Sequence, residues 1–418
     1  MTDAANIAGL NPLRLINDTT AIALGYGITK SDLPPPETPR HVVFVDIGHS
    51  NYSVAVVAFA TGQFKILATA YDRHFGGRNL DAALSEHFAE EFKTKYKIDV
   101  MGNAKARFRL AAQTERLKKI LSANAEAPLS VESIMNDIDA SSKLSREQLE
   151  SLPPVVDVLS RVTQPLEEAL TKAGISVEEV HSIELVGGST RVPAIKERIS
   201  KFFGKALSTT LNQEEAVCRG ATFACAMLSP VFRVREFAMH DITHYPIKAA
   251  WEPSPDDPEE DSEIVVFDRG NSIPSTKVLT FHRSGPFDVE AVYAEPQGLP
   301  GSPNPWISKI TVKEVGPTTD GPAQVKVKVR VNQNGMVSFE GAQAILEEPG
   351  PLPIPGEEEA MQTDGQPEPK KKLVKKDLKF VTSNLAMDRS LVNSLKEIES
   401  SMYQEDKLVQ DTEVRSVA

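Results

Sequence analysis

From Val42 to Phe59 (VVFVDIGHSNYSVAVVAF) two apolar, β-branched runs flank a polar turn, and the first run ends on Asp46. The pattern predicts a buried hairpin. Strand, Asp, glycine turn and returning strand bring bare backbone N–H groups to a phosphate, with a carboxylate beside its metal ion. By itself the pattern is met more often in a hairpin without a ligand. Upstream, Arg14–Ile16 reads as a short strand and Thr19–Gly27 as a helix ending at glycines; polar Asn17 and Asp18 stand at the junction, where a side chain could face a cleft, though Asp18 capping the helix is the reading the sequence favours. After Gly76-Gly77, Leu80, Leu84, Phe88, Phe92 and Tyr96 recur every four residues, the core stripe of a helix. A second helix runs from about Ala104 to Ser122, a strand covers Pro128–Met135, and Val155–Ala173 is an amphipathic helix bent at Pro165. Ile183–Val186 is a short strand. It feeds Gly187-Gly188-Ser189-Thr190-Arg191-Val192-Pro193, where Ser189 or Thr190 caps a helix reaching Phe203 with Pro193 in its first turn. Asn212–Leu228 is a further helix whose Ala216, Val217, Gly220, Ala221, Ala224 and Cys225 permit close packing.

Near Ser229 the helical period gives way to short β segments. Ile264–Phe267, Lys277–Phe281, Asp288–Ala294, Ile307–Val315 and the strictly alternating Val325–Val331 are separated by Pro and Gly turns, the spacing of a β-sandwich. Glu252–Glu263 holds seven acidic residues, three prolines and no base, so a solvated loop is expected. Gly341–Pro369 holds seven acidic residues, six prolines and no base, and reads as a disordered insert. Lys370–Lys379 supplies six lysines, a cationic counterweight to that insert or a nuclear-import patch. From Ala386, Leu391, Leu395 and Ile398 begin a last helix.

Two stretches add candidate chemistry. A strand feeding a glycine turn and a helix N-terminus, as at 183–193, is a ready anion site. On the Ala104–Ser122 helix, Glu115, Lys118, Lys119 and Ser122 share one polar face. That face is either solvated and held by a Glu115–Lys119 pair, the reading the pattern favours, or a set of donors and acceptors around a purine and ribose.

With 418 residues the chain is long enough for two or three domains. A net charge of −12 argues against nucleic acid as a partner, and no apolar run reaches the length of a membrane span. Cys218 and Cys225 lie on one face of a predicted helix about 10 Å apart, too far for a disulfide; buried, reduced thiols of a cytoplasmic protein are expected.

INDTTAIALGYG, VVFVDIGHSNYS, HFGGRNLDAAL, TERLKKILSANAEA, ELVGGSTRVPAI and LNQEEAVCRGATFA resemble, in this order, the ATPase domain of heat-shock protein 70. HFAEEFKTKYKID, LSREQLESL, the GHS turn and the acidic insert resemble the heat-shock protein 110 subfamily, especially its fungal members. The resemblance implies an α/β actin-like ATPase lobe, mostly the second lobe, then an all-β sandwich and a short C-terminal helical segment. It divides the chain into a tail of the first lobe (1–39), the second lobe (40–228, with a subdomain inserted at about 76–154), a linker (229–240), the sandwich (241–340), the acidic then Lys-rich disordered insert (341–380) and the start of a helical lid (381–418). The family's first phosphate loop and its lysine have no counterpart here, and Arg415–Ala418 no longer follow the subfamily. A fragment with impaired nucleotide binding is therefore expected.

Carried over by resemblance, ATP or ADP and Mg²⁺ are the cofactors. Asp46 acts on Mg²⁺ through water, and Gly48 is the phosphate-loop glycine. Gly77 belongs to the same nucleotide-binding set; Glu115, Lys118, Lys119 and Ser122 surround ribose and adenine. Gly187, Gly188 and Ser189 line the phosphate side, Arg191 stacks on the base, and Glu214 stands where the family usually has Asp. His49 either donates to a phosphate oxygen or faces solvent. The family's second catalytic carboxylate is Ser53 here, which cannot act as a base near neutral pH and should slow hydrolysis by orders of magnitude. Both glycine corners, at 48 and 187–188, are expected to converge on one triphosphate. The function implied is an ATP-binding chaperone that exchanges nucleotide on a heat-shock protein 70 partner and holds unfolded polypeptides. Its expected location is the cytoplasm, with the nucleus as a second one. An actin-fold kinase or an inactive remnant are the alternatives, and no membrane partner is expected.

Overall fold

The computed structural model describes residues 1–254, 261–316, 321–348 and 372–417. They form two units, Ile16–Asp241, and Met1–Leu15 together with Ile242–Ala418.

The sheet of the first unit is mixed. Its strands lie in the order Ala238–Ile242, Gln63–Asp72, Tyr52–Ala60, Arg40–Ile47, Val180–Val186, Leu207–Ser208. The three middle strands of the chain's hairpins run antiparallel, and the flanking pairings are parallel. Val42 to Val45 are all buried, because helices cover both faces of this strand. Phe44 and Phe59 pack under Tyr26 of the helix Asp18–Gly27, with ring centroids 5.4 and 5.1 Å from it. Val43, Val45 and Ile47 face the opposite core with the helices Gly77–Tyr96 and Gln164–Ala173. Leu80, Leu84, Phe88 and Phe92 are buried in that core, as their spacing predicts. The helix Ala104–Ala123 follows, its cap Asn103 accepting the Ala106 N–H at 3.0 Å. Next comes a hairpin, Glu126–Met135 and Ile138–Ser145, turning through Asn136 and Asp137, both at positive φ.

In the second unit, two antiparallel sheets share one apolar core. One runs in the order Glu263–Phe267, Ile247–Trp251, Phe287–Tyr293, Trp306–Val312, Phe380–Asn384; the other runs Ser275–Arg283, Ala323–Val331, Val337–Glu348, Lys372–Asp377. Val325, Val327, Val329 and Val331 point into the core, as their alternation predicts. A helix, Arg389–Val417, closes the chain.

Several expectations fail, each for a local reason. Arg14–Ile16 is not a strand: its partner is a turn, Leu15 N–H donating to Asn334 Oδ1 at 3.1 Å. Val155–Ala173 is two helices, Pro153–Ser160 and Gln164–Ala173, because Pro165 starts a helix better than it bends one. The last helix of the ATPase-like unit begins at Ala216, not Asn212. Its buried face is Ala216, Gly220 and Ala224, which leaves Cys218 and Cys225 exposed rather than buried. Neither Ser189 nor Thr190 caps the helix Pro193–Phe203; Val192 holds that position. The expected linker 229–240 ends in strand Ala238–Ile242, parallel to Gln63–Lys65, and Phe237 before it is buried against Phe64. The expected disordered insert 341–380 is strand at both ends, where Gln343–Glu348 pairs with Lys372–Asp377; 349–371, like 255–260 of the acidic loop, lies outside the described residues.

Candidate functional site

Asp46 sits one residue from the end of strand Arg40–Ile47, opposite Ser53 on one side and Val186 on the other. Three strand ends therefore meet at this carboxylate. Beyond it the chain turns, and Gly48 N–H donates to Asn51 O at 3.1 Å. Gly187 follows Val186 at φ 82°, a conformation open to glycine, and a Cβ there would overlap the Ile47 carbonyl. The two glycine corners touch: Ser189 Oγ donates to Gly48 O at 2.8 Å. The helix Gly77–Tyr96 starts against the same turn, with Gly77 N–H donating to Gly48 O at 3.0 Å and Arg78 N–H to His49 O at 2.9 Å. Those amides, which a helix N-terminus otherwise offers to an anion, are spent on the turn. Gly77 must itself lack a side chain, since a Cβ would lie 2.6 Å from Ser189 Oγ and 3.0 Å from Lys118 Nζ.

The polar face of the second helix divides. Glu115 and Lys119 form a 2.7 Å pair that stays largely in solvent. Lys118 is buried, donating to Asp81 Oδ2 at 2.7 Å and Gly77 O at 3.2 Å. Ser122 turns its hydroxyl onto the Lys118 carbonyl of its own helix at 3.1 Å. Across the site, Arg191 donates to Gln213 Oε1 at 2.9 Å and to Glu214 Oε1 at 2.5 Å, remaining half exposed. Glu214 and Asp81 both raise the Lys119 ammonium pKa from a distance, after its Glu115 partner. His49 faces solvent, its Nδ1 4.0 Å from Asp81 Oδ2. Contacts thus join Asp46, Gly48, Gly77, Lys118, Gly187 and Ser189, with Glu214 beside Gly188 and bonded to Arg191, whereas the hydrogen bonds of Glu115, Lys119 and Ser122 among the described residues stay within their own helix. Asp81 and Gln213 are the additions, and of the two readings of Asp18 the one that faces the site holds, since it repels Asp46. Asp18 does not cap its helix: Asn17 holds the cap position and Asp18 Oδ1 accepts the next N–H, that of Thr19, at 2.8 Å. Gln213 O accepts the Gly187 N–H at 2.7 Å, and its amide donates to Thr190 Oγ1 at 2.8 Å.

Two features suit a nucleotide with a divalent cation. In front of Gly48 and Gly188 there is open space, the nearest atoms to an added Cβ being Asn51 O at 4.0 Å and Glu214 Oε1 at 3.9 Å. Space is therefore open in front of both corners, while the Gly48 and Gly187 N–H groups are taken by Asn51 O and Gln213 O. Asp46 has no ion pair among the described residues, and burial followed by repulsion from Asp18 raises its pKa to about 6. A cation would relieve both acids. Among the described residues no group of three or more His, Cys, Asp or Glu could hold a metal.

The second unit holds a cavity of about 900 Å³ whose lining includes Trp251, Glu252, Arg283, Phe287, Asp288 and Lys309. Arg283 is buried, its guanidinium 5.4 Å from the centre of the Phe281 ring and 5.1 Å from that of Phe287. No helix among the described residues is long and apolar enough to cross a membrane.

Over residues 1–417 the chain matches the family described as Hsp70 protein. It is 49% identical over 420 residues to heat shock protein hsp88 of Neurospora crassa, an alignment covering 98% of this chain and 59% of that protein. It is 48% identical over 424 residues to a heat shock protein homolog of Saccharomyces cerevisiae, covering 99% and 60% respectively. Heat shock 70 kDa protein 4 of Canis lupus familiaris is 49% identical over 365 residues, 87% of this chain and 42% of that protein. The chain therefore spans 59% and 60% of the length of the two fungal relatives.

Proposed function

Since this chain belongs to the Hsp70 family, we propose that it works as an ATP-binding chaperone of the heat-shock protein 110 type, exchanging nucleotide on a heat-shock protein 70 partner. The observation that carries the reading is the meeting of two glycine corners at Asp46, Ser189 Oγ to Gly48 O at 2.8 Å, with open space in front of both. Gly48 and Gly187–Ser189 would line the phosphates of ATP or ADP. Asp46 and Asp18 would hold Mg²⁺ through water, and the ion would supply the positive charge that lets phosphates approach two acids. Glu115, Lys118, Lys119 and Ser122 form the ribose and adenine side, with Arg191 and Glu214 opposite.

Ser53 faces Asp46 across the hairpin and accepts a 3.3 Å hydrogen bond from Asn51, so the position has no base for the attacking water. Occupancy without fast turnover is what an exchange factor needs. Bound ATP favours the conformation that docks onto the partner, and the docked partner releases ADP faster. Unfolded polypeptide would be held in the cavity beside Trp251 and Arg283.

Stopped-flow release of a fluorescent ADP analogue from a heat-shock protein 70 partner tests the reading. Addition of this protein joined to the family's first lobe, whose phosphate loop and lysine have no counterpart here, accelerates release in the presence of Mg-ATP, and Gly188→Leu abolishes the acceleration while leaving the circular dichroism spectrum unchanged. Acceleration that survives in Gly188→Leu sinks the ATP-dependent mechanism, and no acceleration by the unsubstituted joined protein sinks the exchange function.

A further inference from the structure

The outward face of the four-stranded sheet in the second unit is unusually basic for a chain of net charge −12. Strand Ala323–Val331 alternates, so Lys326, Lys328 and Arg330 project away from the core that holds its valines. Lys375 on strand Lys372–Asp377 projects from the same face, in register through Ile345. Glu340 and Asp377 are among the acids on the face. Glu340 takes Lys328 at 2.7 Å and Arg330 at 3.2 Å, and Asp377 accepts from Gln343 at 2.8 Å. Lys326 and Lys375 have no ion pair among the described residues. Beside them runs a groove of about 670 Å³ with Val278, Phe380 and Leu378 among its lining. Val278 is 55% exposed and Phe380 37% exposed.

Lysine on an edge strand commonly guards against sheet-to-sheet pairing, and Lys375 alone would be explained that way. Lys326 and Lys328 sit on a strand paired on both sides, where that purpose is absent. Solvation alone does not require them either, since the neighbouring strand presents uncharged Thr276 and Thr280 on the same face. Unpaired ammonium groups beside an exposed apolar strip fit a ligand that alternates carboxylates with apolar side chains. Lys326 and Lys375 sit on strands separated by Val337–Glu348, two strand spacings of about 4.8 Å each, so an extended segment crossing the strands can reach both.

We propose that this face docks an extended acidic segment of a partner protein, whose carboxylates meet Lys326 and Lys375 while its apolar side chains lie on Val278 and Phe380. The face shares no residue with the nucleotide site or with the cavity at Trp251.

The test is fluorescence anisotropy of a labelled short peptide alternating glutamate and leucine, titrated with the whole chain. Binding is expected, weakening with salt. The double variants K326E/K375E and K326Q/K375Q are expected to lose about tenfold or more in affinity, a difference of about 1.4 kcal/mol, with unchanged thermal unfolding. A peptide carrying glutamine for glutamate is expected not to bind. Equal binding by either variant, or by the glutamine peptide, overturns the proposal. Loss of binding in Trp251→Ala places the peptide in the other cavity and also overturns it. Displacement by a short DNA oligonucleotide at equal charge concentration assigns the face to phosphate polyanions instead of an acidic protein.

Discussion

Asp46 lies where three strand ends meet, with Asp18 near enough to repel it and no ion pair among the described residues to offset either charge. Its folded pKa of about 6 lies above the ordinary 3.8. Between those values the folded state holds a proton that the unfolded chain has lost, so stability falls as pH rises through the window and the full penalty remains above pH 6. Asp46→Asn should therefore stabilise the nucleotide-free protein at pH 7.5 by about 1–3 kcal/mol and make no difference near pH 4. Urea denaturation at the two pH values, without Mg²⁺, measures this. A stabilisation of equal size at both would reject the electrostatic account. Asp46 and the glycines were legible in the sequence because a strand-turn pattern frames them. Asp18 was read chiefly as a helix cap and Asp81 was not singled out, since what matters about each is a group distant in sequence: Asp46 for one, Lys118 for the other. Gln213 carries no local signal at all; its importance is a backbone carbonyl placed under Gly187.

At the scale of elements, the tightest join is between the helices Asp18–Gly27 and Ala216–Leu228. A Cβ on Gly220 would overlap the Ala21 carbonyl, and one on Gly25 would lie 3.6 Å from Gly220. Backbone cannot retreat as a side chain can. Gly220→Ala should accordingly cost about 3 kcal/mol, read as a lowered denaturation midpoint at unchanged m-value. The run of small residues in this helix announced such packing, and the four-residue stripe from Leu80 and the alternation from Val325 announced their elements equally well. Periodicity is local, so one sequence displays it. Pairing is not. Lys372–Asp377 is strand because Val337–Glu348 lies beside it, and lysine-rich composition pointed the other way. The exposed thiols tell the same story, for only the position of the opposing helix fixes which face of Ala216–Leu228 is inside.

For the molecule as a whole, the two units offer separate readouts. A ligand that binds only the folded ATPase-like unit stabilises it by about 2.7 kcal/mol at a hundredfold excess over its dissociation constant. Calorimetric unfolding should then show the transition of Ile16–Asp241 moving upward with Mg-ATP, and staying in place with ATP plus a chelator. Movement of both transitions by the same amount would point to binding elsewhere. Family membership was readable from six motifs; the partition of the first fifteen residues with the β-rich unit was not, because it depends on contacts such as Leu15 with Asn334. Three donors, Gly77 N–H, Arg78 N–H and Ser189 Oγ–H, staple the carbonyls of one short turn to two different elements. That turn consequently has no independent travel. Whatever shifts it must drag the start of the helix Gly77–Tyr96, and with it the helix Ala104–Ala123, to which Lys118–Asp81 and the Ser85–Thr114 hydroxyl pair are bolted. The turn and these two helices are thus tied into one hydrogen-bonded assembly, so a ligand seated on the turn bears on both helices at once.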